Sequence, residues 1–230
     1  DYVEISFELP EYEVETVMRD GKEWKRLSCD EAQKHSLEGY PELLVFSAAI
    51  GVPLDGDYSI SITNSLNEIV SDIDIVPSAT LILEGDEPNY SYTPNYKAYN
   101  NRELYPLGLA ERGEPAFVGN RRFIPLMIYP FQYRAGSREL VVSKKFTITL
   151  TLGGSKASTK NWQLASNILD AAKPSFFLND NSSKTWRLEK QRNADYQAPK
   201  NGLGSVNEIQ IIVDKEGIYK VGYQYLMDYI

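Results

Sequence analysis

The stretch Lys145-Phe146-Thr147-Ile148-Thr149-Leu150-Thr151-Leu152 alternates polar and apolar residues without a break. A period of two is that of a β-strand: the threonines share one face, and Phe146, Ile148, Leu150 and Leu152 share the other. One face is therefore expected in solvent and the other on a core. Gly153-Gly154-Ser155 closes the strand and a polar segment runs on to Lys160, which places a domain edge near residue 153. The N-terminus repeats the pattern, with Val3, Ile5, Phe7 and Leu9 alternating with Tyr2, Glu4, Ser6 and Glu8. Similar short runs stand at Leu43 to Ala49, Tyr58 to Asn64, Glu68 to Ile75, Ala79 to Leu83, Arg122 to Ile128 and Leu140 to Val142. Each is bounded by Gly, Pro, Asn, Asp or Ser, and strands at this spacing predict an all-β sandwich or barrel.

Between Glu84 and Val118 the chain is rich in Gly, Pro and Asn and carries five tyrosines, at 90, 92, 96, 99 and 105. It reads as a long, structured loop that packs on something. After residue 153, Asn161 to Ala172 offers Trp162, Leu164, Ala165, Ile168 and Leu169 on one face of a short helix that Pro174 stops. Asn179 to Lys184 reads as a polar turn, Glu189 to Ser205 as a linker poor in large apolar side chains, and Glu208 to Val213 with Gly217 to Val221 as a closing β-hairpin. The expected organisation is residues 1–153 as a β domain, 154–207 as helix and linker, and 208–230 as the start of a following domain.

The 230 residues carry 32 acidic and 24 basic side chains, a formal charge of -8, with the negative sign spread over both halves. That balance argues against nucleic acid as a partner. No window approaches the roughly 18 uninterrupted apolar residues of a membrane-spanning helix, so membrane insertion is not expected. The N-terminus lacks a basic-then-apolar leader and reads as that of a processed chain. One cysteine and one histidine, Cys29 and His35, leave no disulfide, no thiolate zinc cluster and no set of histidines for a hydrolytic metal site. No cofactor and no metal is expected.

Cys29 and His35 lie six residues apart, but Leu27 to Leu37 has no nucleophile-elbow or glycine-rich context, so the pair reads as turn or packing residues and no catalytic residue is assigned. Asp55 and Asp57 around Gly56, with Asp72 and Asp74 further on, are carboxylates of a kind calcium takes from loops; Asp-Gly in a hairpin turn explains the first pair as well. Gly119-Asn120-Arg121-Arg122 is the dibasic step before the strand Phe123-Ile124-Pro125-Leu126. In the simplest structural case one arginine forks onto a carboxylate or carbonyl while the other faces water.

Three stretches resemble the precursors of gingipain-like cysteine peptidases and of the related type IX secretion sortase. Gly39-Tyr40-Pro41-Glu42-Leu43, running to Ile50-Gly51-Val52-Pro53 and Val76-Pro77-Ser78, is similar to the family's opening run. Tyr105-Pro106, Gly119-Asn120-Arg121-Arg122, Tyr129-Pro130-Phe131-Gln132-Tyr133 and Leu140 resemble its most specific run. Gly217-Ile218-Tyr219-Lys220-Val221, with Tyr223 and Leu226, looks like the segment that follows the pro-region. Leu44 and Arg134-Ala135-Gly136 depart from the pattern at turns. The resemblance implies a non-catalytic, antiparallel, jelly-roll-like β-sandwich, secreted or at the cell surface by way of the periplasm. It implies a domain that binds the downstream catalytic domain, keeps it latent, aids its folding and secretion, and is then removed. Within it Gly119, Asn120, Arg121 and Arg122 are the expected inhibitory loop, with one arginine at the specificity pocket. Two other readings stand beside it: an assembly domain of a secretion sortase, and a carbohydrate- or matrix-binding sandwich in which the five tyrosines stack on sugar rings.

Overall fold

A computed structural model of the chain describes residues 2–84, 87–119, 121–153 and 176–186, and these hold thirteen strands. Six precede the first long loop: β1 Tyr2–Glu8, β2 Glu13–Arg19, β3 Lys22–Ser28, β4 Gln33–His35, β5 Leu43–Gly51 and β6 Tyr58–Val70. Seven follow: β7 Thr80–Glu84, β8 Glu87–Ser91, β9 Ala110–Arg112, β10 Ala116–Val118, β11 Arg121–Ile128, β12 Phe131–Arg134 and β13 Glu139–Leu152. Two one-turn helices, α1 Tyr96–Tyr99 and α2 Asp180–Ser183, complete the described elements together with single 3₁₀ turns.

Two antiparallel sheets make the body. In the first, β13 is the axis: β6 runs along one edge from Leu140↔Val70 to Leu152↔Tyr58. The other edge is shared end to end by β1, paired over Thr151 to Lys145, and β12, paired over Val142 to Glu139. In the second sheet β11 pairs with β5 from Phe123↔Gly51 to Ile128↔Phe46, and its outer edge is shared by β10 and β9. β4 extends β5 only at Leu43 to Val45, so the rest of the β5 edge, Phe46 to Gly51, lies beyond its reach. Two hairpins, β2–β3 and β7–β8, are two-stranded sheets of their own.

The alternation read from the sequence explains the core. Phe146, Ile148, Leu150 and Leu152 of β13 are buried against Phe46, Ile50 and Val52 from the β5 side and Ile124, Leu126 and Ile128 of β11. The two sheets thus meet face to face as an antiparallel sandwich, and burial of each such side chain is worth about 1.5–3 kcal/mol. A second cluster gathers Leu140, Val142, Phe131 and Tyr133 with Leu43, Leu44, Ile73, Ile75 and Leu27.

The strand pattern differs from the expected one where alternation breaks. The runs at Leu140 and Phe146 are one strand, because Lys144-Lys145 interrupts the period at a bulge and the register shifts on both sides of Lys145. The runs at Tyr58 and Glu68 are likewise one strand, with Asn64 at φ 55 beside the second shift. Residues 71–75 lie past its end, yet Ile73 and Ile75 still enter the core. Asp20-Gly21, both at positive φ, turns β2 into β3, a two-residue hairpin signal. Pro125 lies inside β11, and a proline has no N–H to give a neighbouring strand. The outer edge is broken opposite it: β9 ends at Arg112, Gly113 N donates to Pro125 O at 2.8 Å, and β10 begins only at Ala116.

The Asp55-Gly56-Asp57 segment is a bend that carries the chain from the second sheet to the first, and not the turn of a hairpin. The helix expected at 161–172, the linker at 189–205 and the closing hairpin at 208–221 lie outside the described residues. Packing against the sandwich continues past residue 153, since Phe177 and Ser183 are buried.

Candidate partner-binding surfaces

The turn from β10 to β11 places Gly119 at φ 59, while Asn120 lies outside the described residues. Arg121 and Arg122 are successive residues of β11, so their side chains leave on opposite faces. Arg121 is 1 % exposed. Its Nη1 donates to Asp180 Oδ1 at 2.5 Å and to Ser183 Oγ at 3.1 Å, and its guanidinium lies 5.1 Å from the Phe177 ring centre. Lys184 Nζ reaches the other Asp180 oxygen at 2.5 Å. Hydrogen bonds from Lys184 and then Arg121, opposed by burial, hold the Asp180 carboxyl down at about 2. Arg122 Nη1 donates to Leu54 O at 2.6 Å and to the Tyr58 hydroxyl at 2.9 Å, stapling the corner between the sheets. Both arginines therefore fork onto groups of their own chain, Arg121 onto a carboxylate and Arg122 onto a carbonyl. Both guanidinium groups are thus engaged within the chain. Phe117 on β10 is the large side chain of this stretch that is exposed.

Residues 176–186, which read as little more than a polar turn, form a strap over the open part of the β5 edge. Leu178 N donates to Ala49 O at 3.0 Å. The Asn179 amide then clamps Gly51 at both ends: Oδ1 accepts from Gly51 N at 2.8 Å, and Nδ2 donates to Gly51 O at 2.8 Å. A Cβ on Gly51 would lie 2.1 Å from Ser183 Cβ, so only glycine admits α2 this close. Phe176 and Phe177 pack edge-on against each other and on Phe123, at 5.5 and 6.1 Å. The available signal was Phe176-Phe177 just ahead of the polar run, together with a lone glycine ending an apolar strand.

The β7–β8 hairpin presents an exposed apolar face. Cross-strand pairing puts Leu81 opposite Tyr90 and Leu83 opposite Pro88, so these four share a face. Leu81, Leu83 and Tyr90 are 46 %, 75 % and 56 % exposed. The tip between the strands reads Glu84-Gly85-Asp86-Glu87, three carboxyls in four residues.

The five loop tyrosines do not form one row. Tyr92 lies under the Arg19 guanidinium, Tyr99 donates its hydroxyl to Ile75 O at 2.8 Å, and Tyr105 packs on Tyr40 and His35, while Tyr90 belongs to the hairpin and Tyr96 is exposed. His35 sits against Tyr105 and Tyr129, and burial lowers its pKa, with Glu111 opposing. Cys29 packs against both core clusters. Asp72 and Asp74 face Arg138, at 3.7 and 3.2 Å.

The family model places this antiparallel sandwich among propeptides. Propeptide_C25 matches residues 2–185, and the chain belongs to that family, the N-terminal propeptides of gingipain-like cysteine peptidases. Among solved structures it is similar to the complex of Porphyromonas gingivalis RgpB pro- and mature domains. The identity is 18 % and the TM-score 0.61, with 70 % of this chain and 85 % of that one covered. It is also similar to a structure on zymogenic latency of gingipain K from Porphyromonas gingivalis, at 20 % identity, TM-score 0.57, and 67 % and 88 % coverage. At these identities the likeness shows the fold. Among curated proteins none matches the chain. No helix among the described residues is long and apolar enough to cross a membrane.

Proposed function

We propose that this chain is the non-catalytic pro-region of a secreted gingipain-like cysteine peptidase, exported by way of the periplasm, and that it binds the downstream catalytic domain and keeps it latent. Family membership supports the reading, and of the two solved relatives one is a complex of pro- and mature domains and the other concerns zymogenic latency. The observation that carries it is the β7–β8 hairpin. A two-stranded sheet is marginal in water on its own, and one that turns Leu81, Leu83 and Tyr90 outward is built to be covered by a partner.

The Gly113 to Arg122 stretch is a second contact in this reading. It would meet the partner through Phe117 and the Gly119-Asn120 turn, with Arg121 and Arg122 holding the turn in place from within. The five tyrosines, which lie in separate surroundings, lend no support to the sugar-binding alternative.

The test is titration of the separately expressed catalytic domain with this chain and its variants. The wild-type chain is expected to inhibit, and the double variant Leu81→Ser/Leu83→Ser to inhibit at least about tenfold more weakly with only a small loss in melting temperature, since Leu83 is 75 % and Leu81 46 % exposed in the free domain. Arg121→Ala and Arg122→Ala are expected to lower the melting temperature more than they weaken inhibition. Failure of the wild-type chain to bind or inhibit would overturn latency and favour the assembly role.

A further inference from the structure

We propose that residues 176–186 are a self-contained docking segment that stays seated on the sandwich when the chain is cut between residues 154 and 175, so that everything downstream remains attached without a covalent link. Every anchor of the strap reaches far back along the sequence. Leu178 and Asn179 bond the backbone of Ala49 and Gly51, Asp180 and Ser183 bond Arg121, and the two phenylalanines pack on Phe123. These contacts are all made by residues 176–186 themselves with strands β5 and β11.

Three physical features make the seat specific. The β5 edge beyond β4 offers backbone groups to an incoming strand, and Asn179 imitates that strand with a paired donor and acceptor on one residue. Gly51 leaves a slot that Ser183 fills, so no other segment of larger outline sits as closely. Arg121 is almost fully buried and bonded to Asp180, and removing one partner of a buried ion pair is far more costly than breaking a surface one. The strap is thus held by apolar, hydrogen-bonded and ionic contacts that must be given up together.

The intervening residues include Lys156 and Lys160, sites for a protease of basic specificity. A nick there would separate the sandwich from the rest of the chain only on paper. Continued latency of such a nicked precursor rests on the function proposed above, whereas the attachment itself does not.

The experiment inserts a site-specific protease sequence between Ala157 and Ser158 of the full chain, cuts it, and follows the two fragments by size-exclusion chromatography and native mass spectrometry at micromolar concentration. The cut wild-type fragments are expected to travel as one species and to part only in denaturant. Asn179→Ala, which removes the clamp, and Phe177→Ser, which removes the apolar anchor, are each expected to leave the uncut chain folded and to let the fragments separate once cut. A variant that does not fold uncut is set aside for the other one. Separation of the wild-type fragments on cutting overturns the proposal. So does association of the variant fragments as tight as wild type, which would put the attachment outside the strap.

Discussion

Gly51 and Ser183 meet so closely that a single methyl group decides the outcome. In Gly51→Ala the added carbon would lie 2.1 Å from Ser183 Cβ, and α2 has to lift from the β5 edge. Overpacking of this kind costs about 1–3 kcal/mol. Urea denaturation is expected to show a loss in that range, and Gly51→Ala/Ser183→Gly to recover part of it, since the second change removes the colliding atom. Asp180 gives the same contact a pH dependence. Its carboxyl is held at about 2 by Lys184 and Arg121, below the ordinary 3.8. A carboxyl lowered by folding stabilises the native state above its unfolded pKa, and that contribution fades as pH falls from about 4 toward 2. The fading contribution is on the order of 1–2 kcal/mol after solvent screening. Melting curves of the wild type should therefore drop more steeply than those of Asp180→Asn across that window, and parallel curves would mean that the carboxylate contributes nothing there.

Elements with an unbroken period were legible from the residues alone. β1, the β13 segment from Phe146 to Leu152, and the core face of β11 lie where alternation puts them, because a half-buried strand writes its burial directly into the sequence. Elements that do not alternate were hidden. β3 carries Glu, Lys and Arg on both faces, so only Asp20-Gly21 marked its hairpin with β2. β9 and β10 are three residues each and are held by the neighbouring β11, which no local pattern reveals. The candidate site was legible to the same degree. The dibasic step was conspicuous as charge, but its destination depended on Asp180, fifty-nine residues away and in a segment that looks polar and loose. The apolar face of β7–β8 fell partly inside the stretch read as loop, since Pro88 and Asn89 disguise the second strand.

At the scale of the molecule, the packed part of the chain and its polar stretch at Glu189 to Ser205 should respond differently to protease. That stretch has few apolar side chains to bury and is expected to be cut first, leaving a stable product near residues 1–188 on a time course followed by mass spectrometry. First cuts within residues 36–83 would contradict that division. The order of strands has a further consequence in time. β1, the first seven-residue strand, finds its partner only in β13, with Tyr2 opposite Thr151. The first sheet stays open at one edge until nearly all of the sandwich is available to fold, and the strap that closes the β5 edge lies later still in the chain. Pairings so distant in sequence close large loops, and domains dominated by them fold in milliseconds to seconds. The first sheet is thus completed only by its last strand, wherever the chain folds, and the strap can seat only after that.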